Sequence, residues 1–299
     1  MYQGFKIIIN PISGSGRGLT EGLALSQFLQ QHGLEVDVSV TSNVGDAEYE
    51  AARAKTPLIV IGGDGTVNEV INGLEGRRIP FLVLPTGTAN LLSREFGLPR
   101  TREGFFSLIQ SGGIHLLDAG HLRGQVSRRF LSVASIGLDA EVVRLMRQIR
   151  TGSIHLYSYL IPLWKALKAY PCPSFTVIID DHTIVRPVTT AIISNIRNYA
   201  GYFSVARQAR ADDGWLDICT FPGKRKRDYL RYMAGVALSH PSIFPDVVCY
   251  RGRKIEVRST SPIPVELDGD FAGYTPVVCQ VIPKSVPLIL PDRKYSRIP

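Results

Sequence analysis

Short apolar runs punctuate the first third of the chain, and a segment of helical periodicity follows each one. Phe5-Lys6-Ile7-Ile8-Ile9, Leu58-Ile59-Val60-Ile61 and Phe81-Leu82-Val83-Leu84 read as buried strands. The stretch 36–40 alternates apolar and polar positions, as a half-buried strand does. Helices are expected over about 19–31, from the turn at 41–46 to about 55, over about 66–74 and over about 89–96. Strands separated by helices predict βαβ units and a mostly parallel, doubly wound sheet. Ligands of such sheets bind in the loops at the carboxyl ends of the strands.

The pattern changes after about residue 125. A strand at 131–135 and a helix at 138–149 lead into 154–169, which is rich in apolar and aromatic residues and should kink at Pro162. Short strands then dominate, at 175–179, 188–194, 216–220, 255–258, 277–282 and 286–290, interrupted by one amphipathic helix at about 228–238. Most of the 19 prolines lie in this second half, as suits a turn-rich β domain. The expected organisation is an α/β domain over 1–125, a mainly β sandwich over 126–285 and a tail, 286–299, that returns to the first domain.

Composition narrows the class. The chain has 299 residues, 44% of them hydrophobic and 20% charged, which excludes a wholly disordered chain, a coiled coil and a collagen-like repeat. The longest stretch without Asp, Glu, Lys or Arg, Ile79 to Ser93, is 15 residues and contains Pro85 and Gly87, so it is too short and too broken to span a bilayer. The first ten residues read as a strand and not as a secretory signal. Cys172, Cys219, Cys249 and Cys279 form no CxxC pair and read as reduced core thiols of a cytosolic protein. The net charge is 34 − 26 = +8, which favours polyanions: nucleic acid, anionic lipid or a phosphorylated substrate. No nucleic-acid motif accompanies the charge.

Candidate chemistry sits in the loops. In Val60-Ile61-Gly62-Gly63-Asp64-Gly65-Thr66-Val67-Asn68-Glu69 a strand runs through glycines and an acid into a helix start. Glycines let backbone N–H groups approach an anion, and the helix N-terminus adds a favourable dipole. An Asp amid a phosphate loop repels phosphate unless a cation bridges them, so Asp64 suggests a metal–nucleotide site; its plainer role is a helix cap. The loops Asn10-Pro11-Ile12-Ser13-Gly14-Ser15-Gly16 and Pro85-Thr86-Gly87-Thr88-Ala89-Asn90 share this character at equivalent strand ends. Val265-Glu266-Leu267-Asp268-Gly269-Asp270 places three acids around a glycine, either as a general base on a turn or as an exposed Asp-Gly hairpin. Ala211-Asp212-Asp213-Gly214-Trp215-Leu216-Asp217 is a third acidic turn, fit for a cation or for nothing more than a turn.

Taken in order, these motifs resemble the diacylglycerol kinase catalytic family of lipid kinases, which includes sphingosine and ceramide kinases. The matching pieces are Asn10-Pro11 with its glycine loop, the Thr-x-x-x-Gly-Asp-Ala of 41–47, Gly62 to Thr66, Pro85 to Asn90, Ser135-Ile136-Gly137-Leu138-Asp139-Ala140, Asp212 to Asp217 and Leu267 to Asp270. The resemblance implies a Mg–ATP site formed by Asn10, Thr41, Gly62, Gly63, Asp64, Gly65, Thr66, Val67, Asn68 and Thr88, with Asp64 acting through the catalytic magnesium. It implies a structural magnesium at the Asp213 carboxylate and the carbonyls of Arg210 and Trp215. The base of the family is the last acid of an Asp-Gly-Glu motif, and this chain has Asp270 there. Asp270 is one methylene shorter, so either Asp270 serves with a small shift, or Asp268 or a water takes the proton, or activity is reduced.

The implied substrate is a membrane lipid, reached from the cytoplasm by peripheral binding to the anionic inner face of the membrane. Lys224-Arg225-Lys226-Arg227 and the aromatic segment 156–165 are the candidate contacts; a solvated face and ordinary core are the plainer alternatives. A homodimer accords with the general frequency of two-fold assemblies. Two other functions fit some of the motifs. One is an NAD-kinase-like enzyme with a soluble substrate, and the other is a non-catalytic lipid or nucleotide sensor on the same fold.

Overall fold

Strands that are apolar throughout need cover on both faces, and the first sheet supplies it with helices. The computed structural model describes residues 2–149, 156–223 and 225–291. By packing, the chain divides into two units. One runs to Leu117 and takes the chain up again from Lys284; the other is Asp118–Pro283.

In the first unit β1 (Gly4–Ile9), α1 (Arg17–Gln31), β2 (Glu35–Val40), α2 (Asp46–Arg53), β3 (Leu58–Gly62), α3 (Asp64–Gly73), β4 (Phe81–Pro85), α4 (Leu91–Glu95) and α5 (Arg102–Ser111) follow one another. The sheet order is β2-β1-β3-β4 with parallel pairing throughout. Ile7, Ile8, Ile9 and every residue of β3 are buried. The expected helix 89–96 is only one turn, because Asn90 sits at a positive φ of 50° just before it. Helix α5 has no strong periodicity in the sequence. It is capped by Thr101, whose hydroxyl accepts the Gly104 N–H, and Phe106 stacks on Phe28 and His32 of α1.

The second unit is a sandwich. Its strands are β5 (Gly113–Arg123, entering from the first unit), β6 (Ser127–Phe130), β7 (Val133–Gly137), β8 (Phe175–Ile179), β9 (Thr183–Val188), β10 (Thr190–Ser194), β11 (Asn198–Tyr199), β12 (Phe203–Ser204), β13 (Leu216–Phe221), β14 (Val248–Gly252), β15 (Lys254–Arg258), β16 (Pro264–Leu267), β17 (Asp270–Tyr274) and β18 (Val277–Leu290). One sheet, antiparallel at every pair, has the order β14-β13-β10-β7-β16-β17. The facing layer joins β9, β8, β15, the first half of β18, β5 and β6. Alternate residues of the six-stranded sheet point each way. Ala191, Ile193, Leu216, Ile218, Val265 and Leu267 join the core between the sheets. Ile192, Cys219 and Phe221 join a second core beneath α6 (Leu138–Ile149), α7 (Leu160–Ala169) and α8 (Lys226–Ala237).

By packing, the passage between units falls at two places, inside β5 at Leu117 and inside β18 at Lys284. Both crossings fall within strands, so no turn residues mark them. Lys284 has a positive φ of 50°, which is why the sequence pattern breaks one long strand into two. Of the expected tail, 292–299 lie outside the described residues, and Leu288 pairs in parallel with Phe81 of β4.

Pro162 does not kink a helix. It lies in the first turn of α7, where an absent N–H costs nothing. Residues 154 and 155 of that segment lie outside the described residues. Cys219 and Cys249 are not reduced core thiols. They stand opposite each other on β13 and β14 with Cα atoms 4.0 Å apart and form a disulfide, while Cys172 and Cys279 take part in none. Their separation of 30 residues hides a cross-strand pair that only the register brings together.

In β6 the ring of the fully buried Phe130 fills the space left by Gly120 on the paired strand, where a Cβ would come within 2.0 Å of the ring. Phe130→Ala should destabilise the protein by about 3–5 kcal/mol, measured by denaturant unfolding.

Candidate functional site

In the first unit three strand-end loops are tied to one another. The Asn10 amide donates to the Thr66 hydroxyl at 2.9 Å, which links the first loop to the start of α3. Thr86 donates its hydroxyl to Ser13 at 2.9 Å and its N–H to the Gly62 carbonyl at 3.0 Å. The second and third loops therefore approach backbone to backbone. A Cβ on Gly87 would stand 2.5 Å from the Gly63 Cα, so position 87 needs glycine, and one on Gly63 would stand a tight 3.1 Å from the Gly87 Cα. Thr41 closes the fourth side, with its N–H and hydroxyl both on the Ile9 carbonyl.

Asp64 opens α3, where a carboxylate suits the helix dipole, and its Oδ1 accepts the Leu91 N–H at 2.7 Å. That bond ties the acid to the start of α4. Asn90, not singled out beforehand, lies beside it. Its amide nitrogen donates to the Gly87 carbonyl at 2.7 Å, while its buried Oδ1 makes no hydrogen bond within the protein. An orphaned buried oxygen beside a cradle of glycines is a place for a ligand donor or cation. Gly62, Gly63, Gly65 and the exposed Thr88 belong to the same cradle. Val67 and Asn68 lie one turn into α3; Val67 is core, its N–H on the Gly63 carbonyl, and Asn68 pairs with Asn72. The donor set fits a magnesium–nucleotide, with Asp64 and Asn90 near the cation and the backbone of the loops near phosphate.

In the second unit Asp268 and Gly269 form a two-residue hairpin turn, with φ of 47° and 90°, between β16 and β17. The two acids of the turn have opposite surroundings. Asp268 is buried, and its carboxylate accepts three backbone N–H groups, from Leu131 at 3.0 Å, Ser132 at 2.9 Å and Val133 at 3.0 Å. Asn195 holds the same segment from the other side, donating to the Leu131 and Asp118 carbonyls. Asp270, two residues on, is exposed.

Glu266, one of the three acids grouped around the turn in the sequence, is not on the turn itself. It alternates with the core residues Val265 and Leu267, so it points to the opposite face of the sheet, where α6 packs. There it is 2% exposed, accepts the Gly269 N–H at 2.9 Å and neighbours Asp139, which accepts the Ser135 hydroxyl at 2.6 Å. Burial, then the Asp139 charge, pushes the Glu266 carboxyl well above the usual carboxylate range. Burial also raises Asp139, against the hydrogen bonds from Ser135 and Tyr199. Burial and Asp139 raise the Tyr199 phenol in turn. Burial thus favours the neutral form of both acids, behind the Asp268-Gly269 turn. The period-two alternation of β16 was the available signal, but it needs a helix on the outer face to become meaningful.

The third acidic turn is arranged around an arginine. Asp213 accepts the Trp215 N–H at 3.1 Å with one oxygen and pairs with Arg251 through the other. Arg251 also reaches Asp217 at 3.2 Å, and the Arg210 side chain pairs with Asp212. No group of three or more His, Cys, Asp or Glu side chains is placed to hold a metal among the described residues. With a guanidinium already neutralising Asp213, Arg210, Asp213 and Trp215 as arranged do not fit a magnesium ion, and no step is derived through one.

Residues 4–122 match the diacylglycerol kinase catalytic domain, and residues 132–290 match the YegS C-terminal NAD kinase β-sandwich-like domain. The chain belongs to the diacylglycerol kinase family. It is 26% identical over 291 residues to a diacylglycerol kinase of Mycobacterium tuberculosis, covering 95% of this chain and 94% of that protein. It is 27% identical over 285 residues to one from Staphylococcus saprophyticus, covering 92% of each. A crystal structure of a diacylglycerol kinase from Bacillus anthracis shares the fold, with a TM-score of 0.73 over 97% of both chains at 21% identity. Membership of this family makes the protein a kinase of the lipid-kinase class.

A folded-state pKa raised above the unfolded value stabilises the neutral form. The stability from a protonated Glu266 is thus complete below the ordinary Glu range and is lost as pH rises through its raised value. Glu266→Gln keeps the neutral shape, and its amide can donate to Asp139. The melting temperature of the wild type should therefore fall from mildly acidic to mildly alkaline buffer more steeply than that of Glu266→Gln.

Proposed function

We propose that the protein transfers the γ-phosphoryl group of Mg–ATP to a hydroxyl of a membrane lipid such as diacylglycerol, acting from the cytoplasmic side on the anionic inner face of the membrane. The observation that carries this reading is the division of the acids: Asp64 lies in a glycine cradle, Asp268 is consumed by the backbone, and Asp270 is left exposed on a turn that Asp268 fixes.

The glycines of the first unit let backbone N–H groups reach the phosphates, and Asn10, Thr66, Thr86 and Ser13 keep the loops in register for that contact. Asp64 and Asn90 would hold the magnesium ion, which when bound would supply charge neutralisation for the phosphoryl transfer. The lipid oxygen forms the new O–P bond as the bond from the γ-phosphorus to the β-phosphoryl oxygen breaks, and ADP leaves with that electron pair. Asp270 accepts the hydroxyl proton. Asp268, with both oxygens on N–H donors, acts through the turn and not on the substrate.

The test is transfer of label from γ-labelled ATP to lipids in mixed micelles, followed by organic extraction. Asp64→Asn keeps an oxygen for the Leu91 N–H, so its melting temperature should stay near that of the wild type, while turnover should fall by about 100-fold or more. Organic-soluble label that depends on Asp64 identifies the lipid. Intact ATP binding with no labelled lipid would instead favour the sensor, or a soluble acceptor such as NAD.

A further inference from the structure

Positive charge in the second unit is placed in two ways. In the basic run of the sequence Lys224 lies outside the described residues, and Arg225 and Arg227 are exposed. Arg251 is also partly open to solvent, but its guanidinium is spent on two carboxylates. Its Nε and Nη2 face the two oxygens of Asp217 at 3.2 and 3.5 Å, and Nη2 also pairs with Asp213. Asp217 is only 4% exposed, and a buried carboxylate needs a partner of opposite charge. A planar fork suits that task, since one guanidinium meets one acid with two N–H groups and still reaches a second.

The fold delivers the fork in place. Arg251 lies on β14, the edge strand of the six-stranded sheet, which pairs with β13. In that ladder Arg251 stands opposite Asp217 and Cys249 stands opposite Cys219. The ion pair and the disulfide therefore lie two residues apart on the same side of the sheet, and the disulfide holds the register that places the guanidinium. The turn before β13 closes on the same group. Asp213 uses its other oxygen to accept the Trp215 N–H, and Asp118 beneath the turn accepts the Gly214 N–H at 2.6 Å. Arg253 lies over the Trp215 ring, 4.6 Å from its centroid, and Arg210 pairs with Asp212. Three arginines thus stand among Asp212, Asp213 and Asp217, so the formal charge of the turn balances before any ion is added. A divalent cation at Asp213 would have to displace Arg251 and would meet the like charges of Arg210 and Arg253.

We propose that Arg251 is the built-in cation of this turn. It does for the second unit what the resemblance assigns to a structural magnesium, so the unit holds β13, β14 and the turn at 210–217 together without a divalent ion. The inference stands without the phosphoryl-transfer reading. Joined to that reading, it confines the divalent requirement of the protein to the ion that accompanies the nucleotide.

The experiment is thermal unfolding of the full chain without nucleotide, in EDTA and in millimolar magnesium. The wild type should melt at the same temperature in both. Arg251→Gln leaves Asp213 and Asp217 without their shared cation. It should melt lower in EDTA, by about 3 °C or more, and regain part of the loss in magnesium. Arg251→Lys keeps a point charge without the fork, so it should melt between the two and ignore magnesium. A wild-type melting temperature that rises with magnesium, still rises in Asp64→Asn and no longer does so in Asp213→Asn would overturn the proposal, since the ion would then bind where the arginine stands. So would an Arg251→Gln variant that melts as the wild type does in EDTA. A loss that neither magnesium nor Arg251→Lys recovers would also overturn it, because the arginine would then act by packing and not by charge. Should Arg251→Gln not fold, the lysine variant decides: folded and indifferent to magnesium, it supports the internal cation, and unfolded as well, it contradicts it. Failure to phosphorylate any lipid would count against the kinase reading and leave this one standing.

Discussion

The carboxylate of Asp268 is the constraint on which the acidic turn of the second unit depends. It gathers three consecutive backbone N–H groups at the entrance to β7 and thereby fixes the turn between β16 and β17. Three N–H donors on one buried carboxylate are charge-assisted bonds, stronger than neutral ones and costly to leave unmade. Asn195 completes the arrangement from β10, so the loop before β7 is held on both sides. A turn so anchored presents Asp270 in one place. Behind it burial raises both Glu266 and Asp139, so their neutral forms are favoured and two buried charges are avoided.

The first unit solves a different problem, that of bringing three loops close enough to surround a polyanion. Backbones can meet at Gly63 and Gly87 because neither residue has a Cβ. Side-chain hydrogen bonds from Asn10 and Thr86 then hold the loops at that distance. Asp64 serves twice, as an anchor for the start of α4 and as the acid nearest the phosphate cradle. The proposed chemistry uses both arrangements, one to carry the nucleotide and one to carry the base.

Much of this was legible in the sequence. The all-apolar strands and the glycine loops after them fixed the α/β class, and the ordered motifs pointed to the family. Three kinds of feature were not legible. Helix α5 owes its place to Thr101 and to Phe106 stacked on α1, contacts with no short-range signature. The Cys219–Cys249 pair depends on strand register, which spacing alone does not reveal. The roles of Asp268, Asp270 and Glu266 depend on which face of β16 is covered and by what. Within six residues the chain has a buried acid raised by its surroundings, a buried acid bound by backbone and an exposed acid, and composition treats all three alike.

The division of labour between Asp268 and Asp270 is the centre of this account, and side-by-side measurement of melting temperature and turnover for Asp268→Asn and Asp270→Asn tests it most directly. Asn at 268 turns an amide donor toward N–H groups that need an acceptor, so Asp268→Asn should lose about 1–3 kcal/mol of stability. Asp270→Asn should melt as the wild type does and lose most of its turnover while still binding ATP. A stable Asp268→Asn variant without activity, beside an Asp270→Asn variant with full activity, would contradict the account and make Asp268 the acid that meets the substrate.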